Sequence, residues 1–305
     1  MRKPSCHIIT LANIKGGVGK TTATVNIAYL LAHNFNKKVL VIDSDDQGNA
    51  TKALGIRGLF DREYETLWYA LNNKKGYQDV LVKSPYQNIW TVPATKELKG
   101  AQLSFSQSAR GFKLFKKLLL GVEKDFDFVL IDTKPQINIL LQSALAASNW
   151  FLIPSFPEPD SYDGFVDLIA ECEEIYEAEN PDLNCMGVLF SCIKKSPAHE
   201  TYMKFITRHL KNANIPVFKG GIKASNAIGT GSLHCCPASA LSNSGNLKED
   251  YLNMVKQILK FLGSHTKTKI KRPKLSVIGI SKDHIINESR EIFEIKDQTA
   301  ERINF

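Results

Sequence analysis

The residues with the plainest chemistry are Lys15, Gly16, Gly17, Val18, Gly19, Lys20, Thr21 and Thr22. Glycine lacks a Cβ, so Gly16, Gly17 and Gly19 let the chain turn tightly and aim several backbone N–H groups at one anion. A helix opening at the end of this run adds the positive end of its dipole. Lys20 then reaches the β- and γ-phosphates of a nucleotide, and the Thr21 hydroxyl ligates Mg²⁺. The strict pattern G-x-x-x-x-G-K-[ST] asks for a glycine where Ile14 stands, and Lys15 adds a lysine beside the glycines instead. An incidental glycine-rich turn would need three glycines, two lysines and a threonine to coincide in this one place. Phosphate binding is therefore the expected role, with ATP and Mg²⁺ as the cofactors.

Such a loop needs a strand before it and a helix after it. His7–Ala12 reads as that strand, and Thr21–His33 as the helix, with Ala23, Ile27, Ala28, Leu30 and Leu31 on its apolar face. Further strands are expected at Lys38–Asp43, Asn88–Val92, Phe126–Asp132, Trp150–Pro154 and Met186–Phe190, with helices between them. Nearly continuous apolar strands alternating with helices indicate an α/β fold, a mostly parallel, doubly wound sheet covered on both faces. Ligands in such sheets bind at the carboxyl ends of the strands, so the loops after residues 12, 43, 132 and 154 should meet. Leu247–Leu262 reads as the last helix, with Leu252, Val255, Ile258, Leu259 and Leu262 at helical spacing. The composition then shifts, and His265–Lys274 is basic and poor in apolar residues. The expected division is a P-loop ATPase domain over 1–263 and a basic linker with a C-terminal extension over 264–305.

The loop resembles that of the deviant Walker A ATPases, the ParA/MinD group, and the rest of residues 6–262 resembles the ParA branch. The segment Asp43 to Thr51 is similar to that branch's D-x-D-P-Q-G-N-A-T, with Asp46 in place of proline. Pro93 to Leu98 resembles its P-A-x-x-x-L stretch, and Asp132-Thr133-Lys134-Pro135 stands where it has D-T-P-P. Ile153-Pro154, with Glu158 and Gly164, resembles a further segment, although Phe156-Pro157 departs from it. The resemblance implies a homodimer that sandwiches two ATP molecules, with Lys15 reaching the phosphates bound by the partner. It implies that Asp45 positions the attacking water, and that Asp43 and Asp132 organise Mg²⁺ together with Thr21. Such proteins bind DNA without sequence preference as the ATP dimer. They hydrolyse slowly, and a DNA-bound adaptor of the ParB type stimulates them. The implied function is plasmid or chromosome segregation by a cytoplasmic, nucleoid-associated switch. Lys134 is the open point: it can contact phosphate, pair with Asp46, or be a solvated surface lysine.

Net charge supports a polyanion partner. The 305 residues carry a formal charge of +8, which favours nucleic acid or an anionic membrane. Lys219, Lys223, Lys256, Lys260, Lys271 and Arg272 are candidate DNA contacts, since phosphate neutralisation needs positive charge on one face and no base reading. The alternative is a MinD-like switch on a membrane surface, which needs a basic amphipathic C-terminal helix. Glu288–Phe305 carries Ile292, Phe293 and Ile295 but too many acids for that role. No apolar run is long enough to span a membrane, and the short run Ile8–Ala12 reads as a strand and not a signal peptide. The six cysteines form no Cys-x-x-Cys pair, which suits neither zinc nor a disulfide framework and fits a reducing cytoplasm. No cysteine lies between residues 7 and 171, which argues against a cluster-bridging redox dimer of the nitrogenase iron-protein kind.

Overall fold

The computed structural model describes residues 6–56, 65–106, 111–158, 161 and 163–265. Its centre is a seven-stranded sheet in the order β3-β4-β2-β5-β1-β6-β7. The strands are β1 (His7–Leu11), β2 (Val39–Ser44), β3 (Val82–Lys83), β4 (Ile89–Val92), β5 (Phe128–Thr133), β6 (Trp150–Ser155) and β7 (Asn184–Phe190). All neighbours pair in parallel except the short edge strand β3, which runs antiparallel to β4.

Ten α-helices accompany the sheet among the described residues: α1 (Lys20–Phe35), α2 (Asn49–Ala53), α3 (Leu67–Asn72), α4 (Leu98–Ser106), α5 (Leu114–Leu118), α6 (Ile139–Ala147), α7 (Asp163–Ala178), α8 (Pro197–Asn212), α9 (Ala227–His234) and α10 (Asn246–His265). Alternate residues of a strand point to opposite faces, and here both faces are covered. Val39 and Val41 of β2, with Phe128 and Leu130 of β5, pack against α1 and α10. Leu40, Ile42, Val129 and Ile131 face the other way, toward α3, α5 and α6. That double burial is why these strands read as unbroken apolar runs. It also explains why α1 is buried nearly all round, lying between the sheet and α10.

Every strand expected from the sequence is present, with bounds shifted by one or two residues. Asn88 ends the turn before β4 with φ +62°, and so lies outside the strand. The edge strand β3 had no signal, because two residues cannot show a period. Pro154 sits inside β6, between β1 and β7, where a missing N–H would normally cost a ladder bond. The register explains its place: β1 pairs β6 only as far as Leu11 with Leu152, and then turns away into the glycine loop. The basic segment His265–Lys274, including Lys271 and Arg272, and the extension beyond it lie outside the described residues, apart from the final helical residue His265.

Candidate nucleotide-binding site

The loops after β1, β2, β5 and β6 meet at the carboxyl edge of the sheet. Strand register places Asp43 directly beside Asp132, and Ser44 beside Thr133. The glycine loop joins β1 to α1. Gly17 and Gly19 take φ of +75° and +85°, in the left-handed region that side chains disfavour. Gly19 also caps α1 without any side-chain bond, so the first N–H groups of that helix are left for a ligand. A serine just past the end of β7 steadies the loop, with Ser191 Oγ donating to the Val18 carbonyl at 2.7 Å. Asn13 steadies its start: its Oδ1 accepts from Lys15 N at 2.9 Å, and its Nδ2 donates to the Pro154 carbonyl at 2.8 Å. Gly164, at the start of α7, leaves room for this turn, since a Cβ there would lie 3.4 Å from Lys15 N.

Lys20 is buried, and its ammonium donates to the Lys15 carbonyl at 3.1 Å. Burial pushes it down to about 8, against the pull of Asp132 and Asp45. A cation held this way has lost most of its water and gains strongly from a phosphate. Lys15 is half-buried, and its side chain has no hydrogen bond or ion pair with another described residue. Val18 is buried, while Gly16 and Gly17 are exposed and Gly19, Thr21 and Thr22 half-exposed at the mouth of the site.

The carboxylates are more fully committed. Asp132 accepts from Thr21 Oγ1 at 2.7 Å and from Thr24 Oγ1 at 3.2 Å. Asp43 accepts from both the backbone N–H and the hydroxyl of Thr51, at 2.8 and 2.7 Å, and from Asp45 N at 3.2 Å. Both are fully buried. Burial raises the two carboxyls, and for Asp132 the neighbouring Asp43 charge adds to the rise. Asp45 is nearly buried and accepts from Gln47 N at 3.0 Å. Thr24 and Thr51 escaped the sequence reading of roles. Thr24 stands one helical turn after Thr21, a spacing that could have flagged it; nothing in the sequence flagged Ser191.

The donor set fits a hard divalent cation. It consists of the Thr21 hydroxyl backed by two buried carboxylates, with no sulfur or imidazole among them. No cluster of three or more His, Cys, Asp or Glu suited to a metal occurs among the described residues.

Lys134 answers the open point of the sequence. Its ammonium lies 2.9 Å from Asp46 Oδ2, and Gln47 Nε2 donates to the other Asp46 oxygen at 3.1 Å. Burial works to raise the Asp46 carboxyl, but the Lys134 and Gln47 bonds outweigh it, and it lies below the ordinary carboxylate value.

Of the candidate DNA residues, Lys219, Lys223, Lys256 and Lys260 are exposed and cluster around α10. Lys219 N donates to Gln257 Oε1 at 2.9 Å, and Gln257 Nε2 returns a bond to the Lys219 carbonyl at 3.0 Å. Lys223 is different, because its ammonium pairs with Asp250 at 3.1 Å. The six cysteines are free thiols, three of them buried. No helix among the described residues is long and apolar enough to cross a membrane.

A parallel sheet with a glycine loop between its first strand and first helix, a buried loop lysine and a hydroxyl backed by carboxylates defines a P-loop nucleotide-binding protein. A family described as an AAA domain matches residues 6–185. The chromosome partitioning protein ParA of Myxococcus xanthus is 35% identical over 186 residues, which is 61% of this chain and 64% of that protein. A ParA family protein of Chlamydia pneumoniae is 31% identical over 259 residues, covering 82% of this chain and 96% of its own length. Among solved structures, the ATP complex of a McdA variant from Cyanothece has a TM-score of 0.74 at 19% identity, over 88% of this chain and 99% of that one. The chain belongs to the ParA family of P-loop ATPases.

Proposed function

We propose that this chain is an ATP-driven partition switch, which dimerises around ATP, binds DNA without sequence preference as the dimer, and resets by slow hydrolysis. The observation that carries the reading is the division of labour between two lysines. Lys20 is buried and built into the loop, whereas Lys15 stands beside the glycines with its charge uncommitted. A cation that completes the site only when a second copy arrives links phosphate binding to dimerisation.

In this reading Lys20 and the N–H groups of the loop and of α1 hold the phosphates. Thr21, backed by Asp132 and with Asp43 beside it, would hold Mg²⁺, which neutralises charge on the phosphate oxygens. Asp45 orients the attacking water. The Lys219–Lys260 face supplies phosphate contacts to DNA, and its charge lies near α10. A DNA-bound adaptor stimulates turnover, and the cargo is a plasmid or chromosome carried on the nucleoid.

The test is a DNA-binding titration of the full chain with no nucleotide, ADP, ATP and a slowly hydrolysed analogue, each at two salt concentrations. Tight binding is expected only with ATP or the analogue, weakening steeply with salt. Binding that ignores nucleotide, or that moves to anionic vesicles in the absence of DNA, would overturn it.

A further inference from the structure

Two departures from the family's motifs fall in different loops and meet in space. Asp46 stands where the D-x-D-P-Q-G-N-A-T segment has proline, and Lys134 where D-T-P-P has its first proline. The structure brings them to 2.9 Å. Proline stiffens a loop covalently by fixing φ and carries no charge. Here neither loop has that brace at these positions, and a cation–carboxylate contact links them instead.

The contact lies where it can matter. Asp43 and Ser44 pair in register with Asp132 and Thr133, and beyond them the two strands part into separate loops. The Asp46–Lys134 pair bridges those loops just past the parting. Gln47 ties the same frame to Asp45, donating its side chain to Asp46 at 3.1 Å and its backbone N–H to Asp45 at 3.0 Å. On the other side, Pro135 follows Lys134 and packs near Gly16, where an added Cβ would lie 3.8 Å from the proline ring. The bridge thus joins the Asp45 loop to the loop after Asp132, whose next residue, Pro135, lies beside the glycine loop. Asp46 is only 3% exposed and Lys134 25%. Removing the lysine would leave a buried carboxylate next to Asp45 with the neutral Gln47 amide but no cation against it, and such a charge drives rearrangement.

We propose that Asp46 and Lys134 act as one positioning clasp, which holds Asp45 in place for hydrolysis without contributing to nucleotide affinity. The proposal rests on the reading of Asp45 as the residue that orients water. Lys134 is a positioning residue, because it acts through Asp46 and Gln47.

The test is a double-mutant cycle in the full chain, using Asp46→Asn, Lys134→Met and both together. Single-turnover ATP hydrolysis and the Kd of a slowly hydrolysed ATP analogue are read for each variant. Each single change is expected to lower turnover about tenfold to a hundredfold, as displaced catalytic groups do, with the analogue's Kd changed less than about twofold. The double change should be no worse than either single one. Replacing both residues by proline should recover turnover that neither single proline variant retains. Thermal melts identify any single variant that fails to fold, and in that case the doubly neutral and doubly proline chains carry the comparison against the wild type. Multiplying single effects, or a double-proline chain no better than its parents, would overturn the clasp. So would Lys134→Met weakening the analogue while turnover at saturation holds, which would make Lys134 a phosphate contact. Asp45→Ala in the same assay separates the two ideas. Full turnover there removes the reading of Asp45, whereas additive effects at Asp46 and Lys134 beside an inactive Asp45→Ala remove the clasp alone.

Discussion

At the nucleotide end of the sheet, Lys20, Asp43 and Asp132 are buried, and each has a named partner within hydrogen-bond distance. Along α10, Lys219, Lys256 and Lys260 are exposed, and of these four lysines only Lys223 is tied to an acid among the described residues. In the first region charge is fixed by geometry, so one substitution should be felt at full strength. In the second, charges are interchangeable and screened by salt, so each should count for little and only their sum for much.

The largest effect on ATP affinity should come from Lys20. Lys20→Ala removes a desolvated charge-assisted bond, and ATP affinity should fall roughly tenfold to a hundredfold. The same lysine gives a pH test. Burial lowers it to about 8 in the free protein, and phosphate contact requires its charged form. Above that value binding must take up a proton, so affinity should fall with rising pH by up to about tenfold per unit. Below it the dependence on this group should vanish. Calorimetry in buffers of different ionisation heat measures that uptake, and proton release on binding would contradict the assignment.

Lys15 lies at the boundary of the comparison, within the nucleotide loop but without a fixed partner. Lys15→Ala should leave ATP binding to the single chain nearly unchanged and cut turnover by roughly a hundredfold or more, as loss of a cation supplied in trans does. Sedimentation with the slowly hydrolysed analogue should show fewer dimers. Unchanged turnover in this variant would remove the sandwich from the account.

The same contrast decides what the sequence made legible. The strands were readable because burial on both faces leaves a continuous apolar run, and β2 and β5 are the clearest examples. The site was readable where the backbone itself imposes residue type, as at Gly17 and Gly19, whose positive φ excludes most side chains. The contacts of Asn13, Thr51 and Ser191 were not, since a polar residue becomes a brace only once the fold brings its partner near; Ser191 and Val18 are far apart in sequence. The Lys134–Asp46 pair was legible only as one option among three, because nothing in either loop alone fixes its distance to the other. The basic face was least legible of all, as a lysine's neighbour decides whether its charge is available.

Lys223 turns that last point into the finest test of the comparison. Its side chain is 55% exposed, yet its ammonium lies 3.1 Å from Asp250, so its charge is already answered within the chain. Lys256→Ala and Lys260→Ala should each weaken DNA binding by a few-fold and lower the salt slope by about one where a phosphate contact is lost. Lys223→Ala should change the salt slope less than either, because its ammonium already faces Asp250 and has no phosphate contact to lose. Asp250→Asn should act in the opposite direction. It keeps the shape and an oxygen that can accept from Lys223 N, and it frees the ammonium for phosphate. An exposed pair contributes under about 1 kcal/mol, so the gain in DNA affinity should be about two- to fivefold, largest at low salt. A loss of affinity in Asp250→Asn would show that the pair orders the Lys219–Lys223 loop more than it masks charge, and the α10 face would then share the fixed geometry of the nucleotide end.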